Sequence, residues 1–206
     1  MSDELIVPFL FTMNEQILNR YLLAFDEIHA LTSTSYLLAT GNIAQIADDI
    51  LSFLIKAYRL GIQSVSEMLA YDLTVDVSKM YDAIYEVIEG KTFEDRITDH
   101  VKNGDLAGLQ VLAESEFHRV YNTATDDGAR DFQSSVGYGV VKTWYTVKDD
   151  KVRDTHRYLE QVSVPVDEEF FTYDGDHAPY PGGFTMAKNN VGCRCIVDYH
   201  IDAEQE

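Results

Sequence analysis

The sequence predicts an α+β fold: an N-terminal helical region followed by a small mixed α/β module with a short β-sheet. Three observations carry that expectation. Apolar residues recur at steps of three and four through Phe132, the period of one helix face. From Ser134 the pattern changes, and Val140 to Val147 is rich in β-branched and aromatic residues, the composition of a strand. The single Trp, both Cys and three of the four prolines lie after residue 140. The expected division is a helical region over 1–133, an arm plus about five helices, and a compact α+β module over 134–206.

Residues 1–12 mix acids, apolar side chains and Pro8 and read as an arm that docks on a partner or covers the protein's own core. The first helix is expected from Asn14 to Leu31, with Ile17, Tyr21, Phe25 and Ile28 on one face beside Leu18 and Leu22. Thr32-Ser33-Thr34-Ser35 breaks it. Gly41-Asn42 opens a second helix with Asn42 as N-cap. Its stripe is Ile43, Ile46, Ala47, Ile50, Leu54, Ala57 and Tyr58. Gly61 is a candidate kink or end, although Ile62, Val65, Met68 and Leu69 continue the pattern.

Asp76 caps a third helix with a stripe of Val77, Met80, Tyr81, Ile84, Val87 and Ile88, ended by Gly90. Thr92 and Asp95 have the spacing of a capping box before a short helix, Phe93 to Val101. Asn103-Gly104 stops it. A long helix then runs from Asp105 to Phe132 with Leu106, Leu109, Ala113, Phe117, Val120 and Ala124 on one face. Glu114 and Glu116 are two apart and diverge, so both read as partly solvated.

In the module, Val140–Val147 is the first strand. Asp149 caps a short helix over Lys151–Leu159, and Val162–Val166 is a short strand whose Pro165 belongs at a sheet edge. Residues 172–185 are loop-like. Met186–Asn190 is a helical turn, and Arg194–Ile201 is the last strand.

The chain has 206 residues, 46% of them apolar, and a formal net charge of −19; its pI is about 4.5. That apolar content is enough for a core. The acidic balance argues against direct nucleic-acid binding, which needs a basic face. No apolar run reaches the roughly 18 residues of a membrane span, and Ile6–Phe11 lacks the basic flank of a signal peptide. Two cysteines without an export signal fit a reducing compartment.

Cys193-Arg194-Cys195 is the sharpest chemical feature. On extended chain both sulfurs point to one side. They form half of a zinc site if histidines such as His156 or His177 complete it; otherwise they are two thiols packed in the core. A disulfide between residues two apart would be strained. Arg153 and His156 share a face of the short helix. His156 is either a general base beside Asp149 or Glu168, or a hydrogen-bonded anchor for the glycine-rich loops. The chain offers no nucleophile elbow or phosphate loop, which favours the anchor. Trp144 reads as core, and Asp174-Gly175-Asp176 as a turn, since the other oxygen ligands of a calcium loop are absent.

Taken together, Trp144, Asp150 (or Asp149), Arg153, His156, Glu169-Phe170, Pro181-Gly182 and Cys193-Arg194-Cys195 resemble the ordered motif set of the phage Mu F-like minor head proteins, the phage head morphogenesis family. The helical run Glu114–Ala129, with Arg119 and Asn122, also resembles the segment preceding that module. The resemblance covers roughly residues 110–200. Two positions depart from it: Gly192 stands where the family has asparagine, and the Tyr158–Gln161 segment lacks a glycine.

The resemblance implies a tailed-phage structural protein that binds the portal and inner capsid proteins, enters the head interior of the virion after assembly in the host cytoplasm, and assists DNA packaging or delivery. Some family members carry toxin domains beyond the last cysteine, for which eleven residues leave no room. The expected structural set is Trp144, Asp150, Arg153, His156, Phe170, Pro181, Cys193, Arg194 and Cys195, with no catalytic residue assigned. Zinc on Cys193, Cys195 and His156 is the one cofactor considered. The rival readings are a metal- or histidine-dependent enzyme on the same module, and an effector delivered with the phage DNA.

Overall fold

The structure, a computed structural model, describes residues 7–33 and 42–202. Helix α1 spans Val7–Leu31, α2 Ile43–Met68, α3 Val77–Ile84, α4 Phe93–Lys102 and α5 Leu106–Val136. The module follows as β1 (Val140–Tyr145), α6 (Asp154–Arg157), β2 (Ser163–Pro165), β3 (Phe170–Phe171), β4 (His177–Ala178), α7 (Ala187–Asn190) and β5 (Ile196–Ile201). The α+β architecture is as the sequence predicts. Of the expected arm, residues 1–6 lie outside the described residues, as do Thr34, Ser35 and Gly41, while residues 7–12 already belong to α1.

The helices are cut by local chemistry. Asn42 accepts from the N–H groups of Ala44 and Gln45, and Asp76 from those of Ser78 and Lys79, satisfying donors that the first turn cannot. Thr92 and Asp95 form the reciprocal capping box. Helix α3 is shorter than its apolar pattern: it ends at Ile84, and Val77, Tyr81 and Val87 are exposed. Instead of ending a helix, Glu89 and Gly90 form a tight turn with positive φ that pairs Ile88 with Lys91.

Helices α2 and α5 pack lengthwise against each other and form the spine. Gly61 does not kink α2. It is the contact point: a Cβ there would lie 2.5 Å from the Tyr121 carbonyl oxygen and 2.6 Å from Ala124 Cβ. Around this crossing, Tyr21 and Ile28 of α1, Ile50, Leu54 and Tyr58 of α2, and Phe117 and Val120 of α5 form the larger core. Ile17, Tyr21 and Ile28 are buried as expected, but Leu22 is exposed and Ala24 takes a place in the core.

The sheet has the order β2-β1-β5, antiparallel throughout. Trp144 pairs with Val197, and Val141 with both Pro165 and His200. Pro165 is tolerated because β2 is an edge strand. Within the stretch read as a loop, 172–185, lies β4, which pairs with β3 just before it to make a second ribbon, with Phe170 opposite Ala178. A second core lies under the sheet. Trp144, Phe170, Phe184 and Tyr199 meet Val65 and Leu69 of α2 and Ala129 and Phe132 of α5.

Candidate functional site

Trp144 is completely buried at the centre of the module. Phe170 meets it edge-on at 5.1 Å between ring centroids, and His156 does so at 5.4 Å. Phe184 stacks on His156 at 5.3 Å. This aromatic box fixes the imidazole of His156, which is 1% exposed. Helix α6 supplies that histidine, but starts later than expected. Arg153 is its N-cap residue without a side-chain cap, and Asp149 instead closes the preceding turn by accepting from Lys151 N–H.

The Cys193–Cys195 segment leads into β5, with both cysteines buried and Arg194 between them half-buried. His156 Nδ1 lies 3.5 Å from Cys193 Sγ and 3.5 Å from Cys195 Sγ. The ligand atoms of these three residues fall within 4.8 Å of one another, and all three residues are buried. Both thiols are free. The imidazole of His118, from the middle of α5, also interacts with Cys193. On its other side His118 Nδ1 meets the Tyr21 hydroxyl at 2.6 Å. Burial opposes ionisation of Cys193, but Cys195, His118 and His156 outweigh it and hold its thiol well below the ordinary value. Cys195 donates its hydrogen bond to Cys193, and that bond together with burial pushes its own thiol up.

The surrounding groups brace this cluster. Arg153 donates to the carbonyls of Asn189 (2.9 Å) and Val191 (2.5 Å), holding the chain just before the cysteines. Arg194 grips both oxygens of Asp149 at 3.0 and 2.7 Å; Asp149 is thus the bound acid, and Asp150 is exposed. Pro181 is buried, and Gly182, at φ +94°, lies where a Cβ would be 3.1 Å from Arg119 Cα. The proline-glycine loop therefore seats directly on α5.

The acids proposed as partners of His156 are elsewhere: Asp149 is held by Arg194 and Glu168 is exposed. His177 is not part of the cluster. Its Nδ1 meets Glu169 Oε2 at 2.6 Å on the half-exposed ribbon. A cavity of about 10 Å³ adjoins the cluster, lined by Val152, Arg153, His156, Cys193 and Cys195 among others. That is room for a water or a small ion.

Three polar features were not evident in the sequence. Asp176, read as part of a turn, is 1% exposed and accepts from Thr185, Met186, His177 and Asn189. Glu116, read as partly solvated, is 4% exposed and bound by Arg119 at 2.8 Å and Arg96 at 2.8 Å. Lys142 is wholly buried, donating to Val166 O at 2.9 Å and Asp126 Oδ1 at 3.2 Å. Its inward position was readable, since Val140, Lys142 and Trp144 alternate on one face of β1.

Comparison with known proteins agrees with this architecture. The chain is 32% identical over 99 residues to Minor head protein GP7 of Bacillus phage SPP1, covering 48% of this chain and 32% of that protein. It is 34% identical over 118 residues to NAD(+)--arginine ADP-ribosyltransferase EFV of Enterococcus faecalis (strain ATCC 700802 / V583), covering 56% of this chain and 24% of that protein. The chain thus matches about a third and a quarter of these relatives' lengths. No solved structure matches it significantly. The family described as Phage Mu protein F like protein matches residues 77–198, starting well before the motif set and taking in α3, α4 and all of α5. With more than half its length inside that match, the chain belongs to the Phage Mu protein F like family.

Proposed function

We propose that this chain is a non-enzymatic head morphogenesis protein of a tailed phage. It binds other head proteins during assembly, with the portal and the inner capsid as its partners, and serves DNA packaging or delivery from the head interior. Family membership over residues 77–198 carries this reading, joined by the likeness to a phage minor head protein.

The site supports a structural role. A general base must reach its substrate, but His156 is 1% exposed and boxed by Trp144 and Phe184. The adjoining space, about 10 Å³, is far below the roughly 300 Å³ of an ordinary small-molecule pocket. The net charge of −19 repels a DNA backbone, which directs the binding surfaces toward proteins. No helix among the described residues is long and apolar enough to cross a membrane.

The test is a phage whose copy of this gene is interrupted and then complemented. Purified heads are probed for the full chain, and infectious, DNA-filled heads are counted. The chain in wild-type heads, with a drop in infectious heads without it, is the expected result. Its absence from heads, with normal yields in the mutant, would overturn the proposal. A parallel pull-down of the full chain against the portal protein of the same phage decides the partner: capture is expected, and failure with intact head incorporation would remove the portal from the reading.

A further inference from the structure

The second core holds a group of side chains that its packing does not explain. Three nitrogen and sulfur donors, those of His156, Cys193 and Cys195, lie within 4.8 Å of one another in an interior otherwise walled by aromatic rings. Two come from the segment before β5 and one from α6.

Distances discriminate between a hydrogen-bonded cluster and a metal site. An imidazole nitrogen carries at most one hydrogen, and it can serve one sulfur well. Yet His156 Nδ1 stands at the same 3.5 Å from both Cys193 Sγ and Cys195 Sγ. In a tetrahedral zinc site, Zn–S is about 2.3 Å and Zn–N about 2.0–2.1 Å, so each N···S edge is about 3.5–3.6 Å. Both edges thus have the length that a shared ion requires. The tautomer also agrees. His156 Nε2 is buried with no hydrogen-bond partner; a hydrogen there leaves the Nδ1 lone pair facing the sulfurs.

We propose that His156, Cys193 and Cys195 bind one structural zinc ion. Two thiolates and an imidazole form a soft donor set suited to zinc. The fourth position falls to a water in the adjoining cavity, whose volume of about 10 Å³ leaves no room for a substrate, which marks a structural rather than catalytic ion. The ion would tie the short helix after β1 to the segment that leads into the last strand. Zinc binds thiolates, so its binding would release thiol protons to solvent.

The test uses the full-length chain, stripped of metal under reducing conditions, with zinc or cobalt(II) added alone. Zinc is expected to bind at about one ion per chain and to raise the melting temperature. Cobalt(II) is expected to give the intense visible bands of tetrahedral thiolate coordination. A stripped chain that melts at one temperature with and without zinc, and shows no such bands, would overturn the site. Variants then assign the ligands. Cys195→Ser and His156→Gln should each weaken cobalt binding by more than about 100-fold, whereas His118→Gln should change it by about 10-fold at most, the scale of an outer-shell change. Wild-type affinity in His156→Gln would overturn the site. The wild-type titration stands whether or not a variant folds.

Discussion

Asp176 and Asn189 meet across the module. Asp176 Oδ2 accepts the Asn189 side-chain amide at 2.7 Å, while Asn189 hands its backbone carbonyl to Arg153 at 2.9 Å. One buried carboxylate thereby fixes α7, and α7 fixes the arginine that precedes His156. The same carboxylate accepts Thr185 Oγ1 at 2.6 Å and the N–H groups of His177, Thr185 and Met186. Asp176→Asn keeps the volume but turns a charged acceptor into a neutral group with its own donors. It should cost about 1.5–3 kcal/mol, the range for hydrogen bonds to a charged partner, measured by urea unfolding. Asp174→Asn, at the half-buried tip of the same turn where Thr172 and the exposed Lys188 bind the carboxylate, should cost clearly less. Equal losses would contradict the role given to Asp176.

The same carboxylate sets a pH dependence. Burial raises the pKa of Asp176, but donors from Thr185, Asn189, Met186 and His177 outweigh it, and the net value lies below the ordinary one. Glu116 behaves alike: burial raises it, and Arg119 and Arg96 more than reverse that. A carboxylate whose pKa is lower in the folded state stabilises the fold above its unfolded pKa, and that contribution is lost as pH falls through the folded pKa. The melting temperature should therefore hold near neutral pH and fall steadily below about pH 4, the ordinary carboxylate range. In Asp176→Asn the fall should be shallower. A melting curve whose acid slope is unchanged by that substitution would exclude Asp176 as a source.

Glu116 joins two cations that have no other means of being buried together. Arg119 is 6% exposed and binds Glu116, Glu86 and the Ala83 carbonyl; Arg96 reaches the other oxygen of Glu116. Glu116→Ala leaves Arg96 without its carboxylate and Arg119 with Glu86 alone, and should cost about 3 kcal/mol. Removing a cation with its partner should hurt less than the sum. In a double-mutant cycle, Glu116→Ala with Arg119→Met should fall short of additivity by about 1 kcal/mol or more. Strict additivity would mean that the two side chains do not interact.

Much of the fold was legible because its signals are local. The caps Asn42, Asp76 and Thr92, the 3.6-residue stripes of α2 and α5, and the alternation of β1 all depend on residues a few positions apart. What was not legible depends on partners distant in the chain. Glu116 reads as a surface acid until α4 brings Arg96 to it, 20 residues away. Asp176 reads as turn chemistry until α7 folds back over it. Helix α3 reads longer in the sequence than it is because Val87 and Ile88 continue an apolar period that the Glu89-Gly90 turn overrides. The cysteine pair and His156 were readable as a set. His118 was not, because it sits on a helix buried on every side, where no stripe marks the face turned toward the module.

Gly61 offers a test in which two small effects have opposite signs. In an exposed helix, replacing glycine by alanine stabilises by about 1 kcal/mol through backbone entropy. Here the added methyl would meet Ala124 Cβ at 2.6 Å and the Tyr121 carbonyl oxygen at 2.5 Å. A side-chain contact can be relieved by truncation, whereas a carbonyl within α5 can be relieved only by moving the helix. Overpacking of this kind costs about 1–3 kcal/mol, so the net sign should be destabilising. Adding Ala124→Gly to Gly61→Ala should recover less than half of the loss, because the carbonyl contact remains. Chemical denaturation of the wild type and the two variants measures this directly. A stabilised Gly61→Ala would show that the α2–α5 crossing is looser than these distances require.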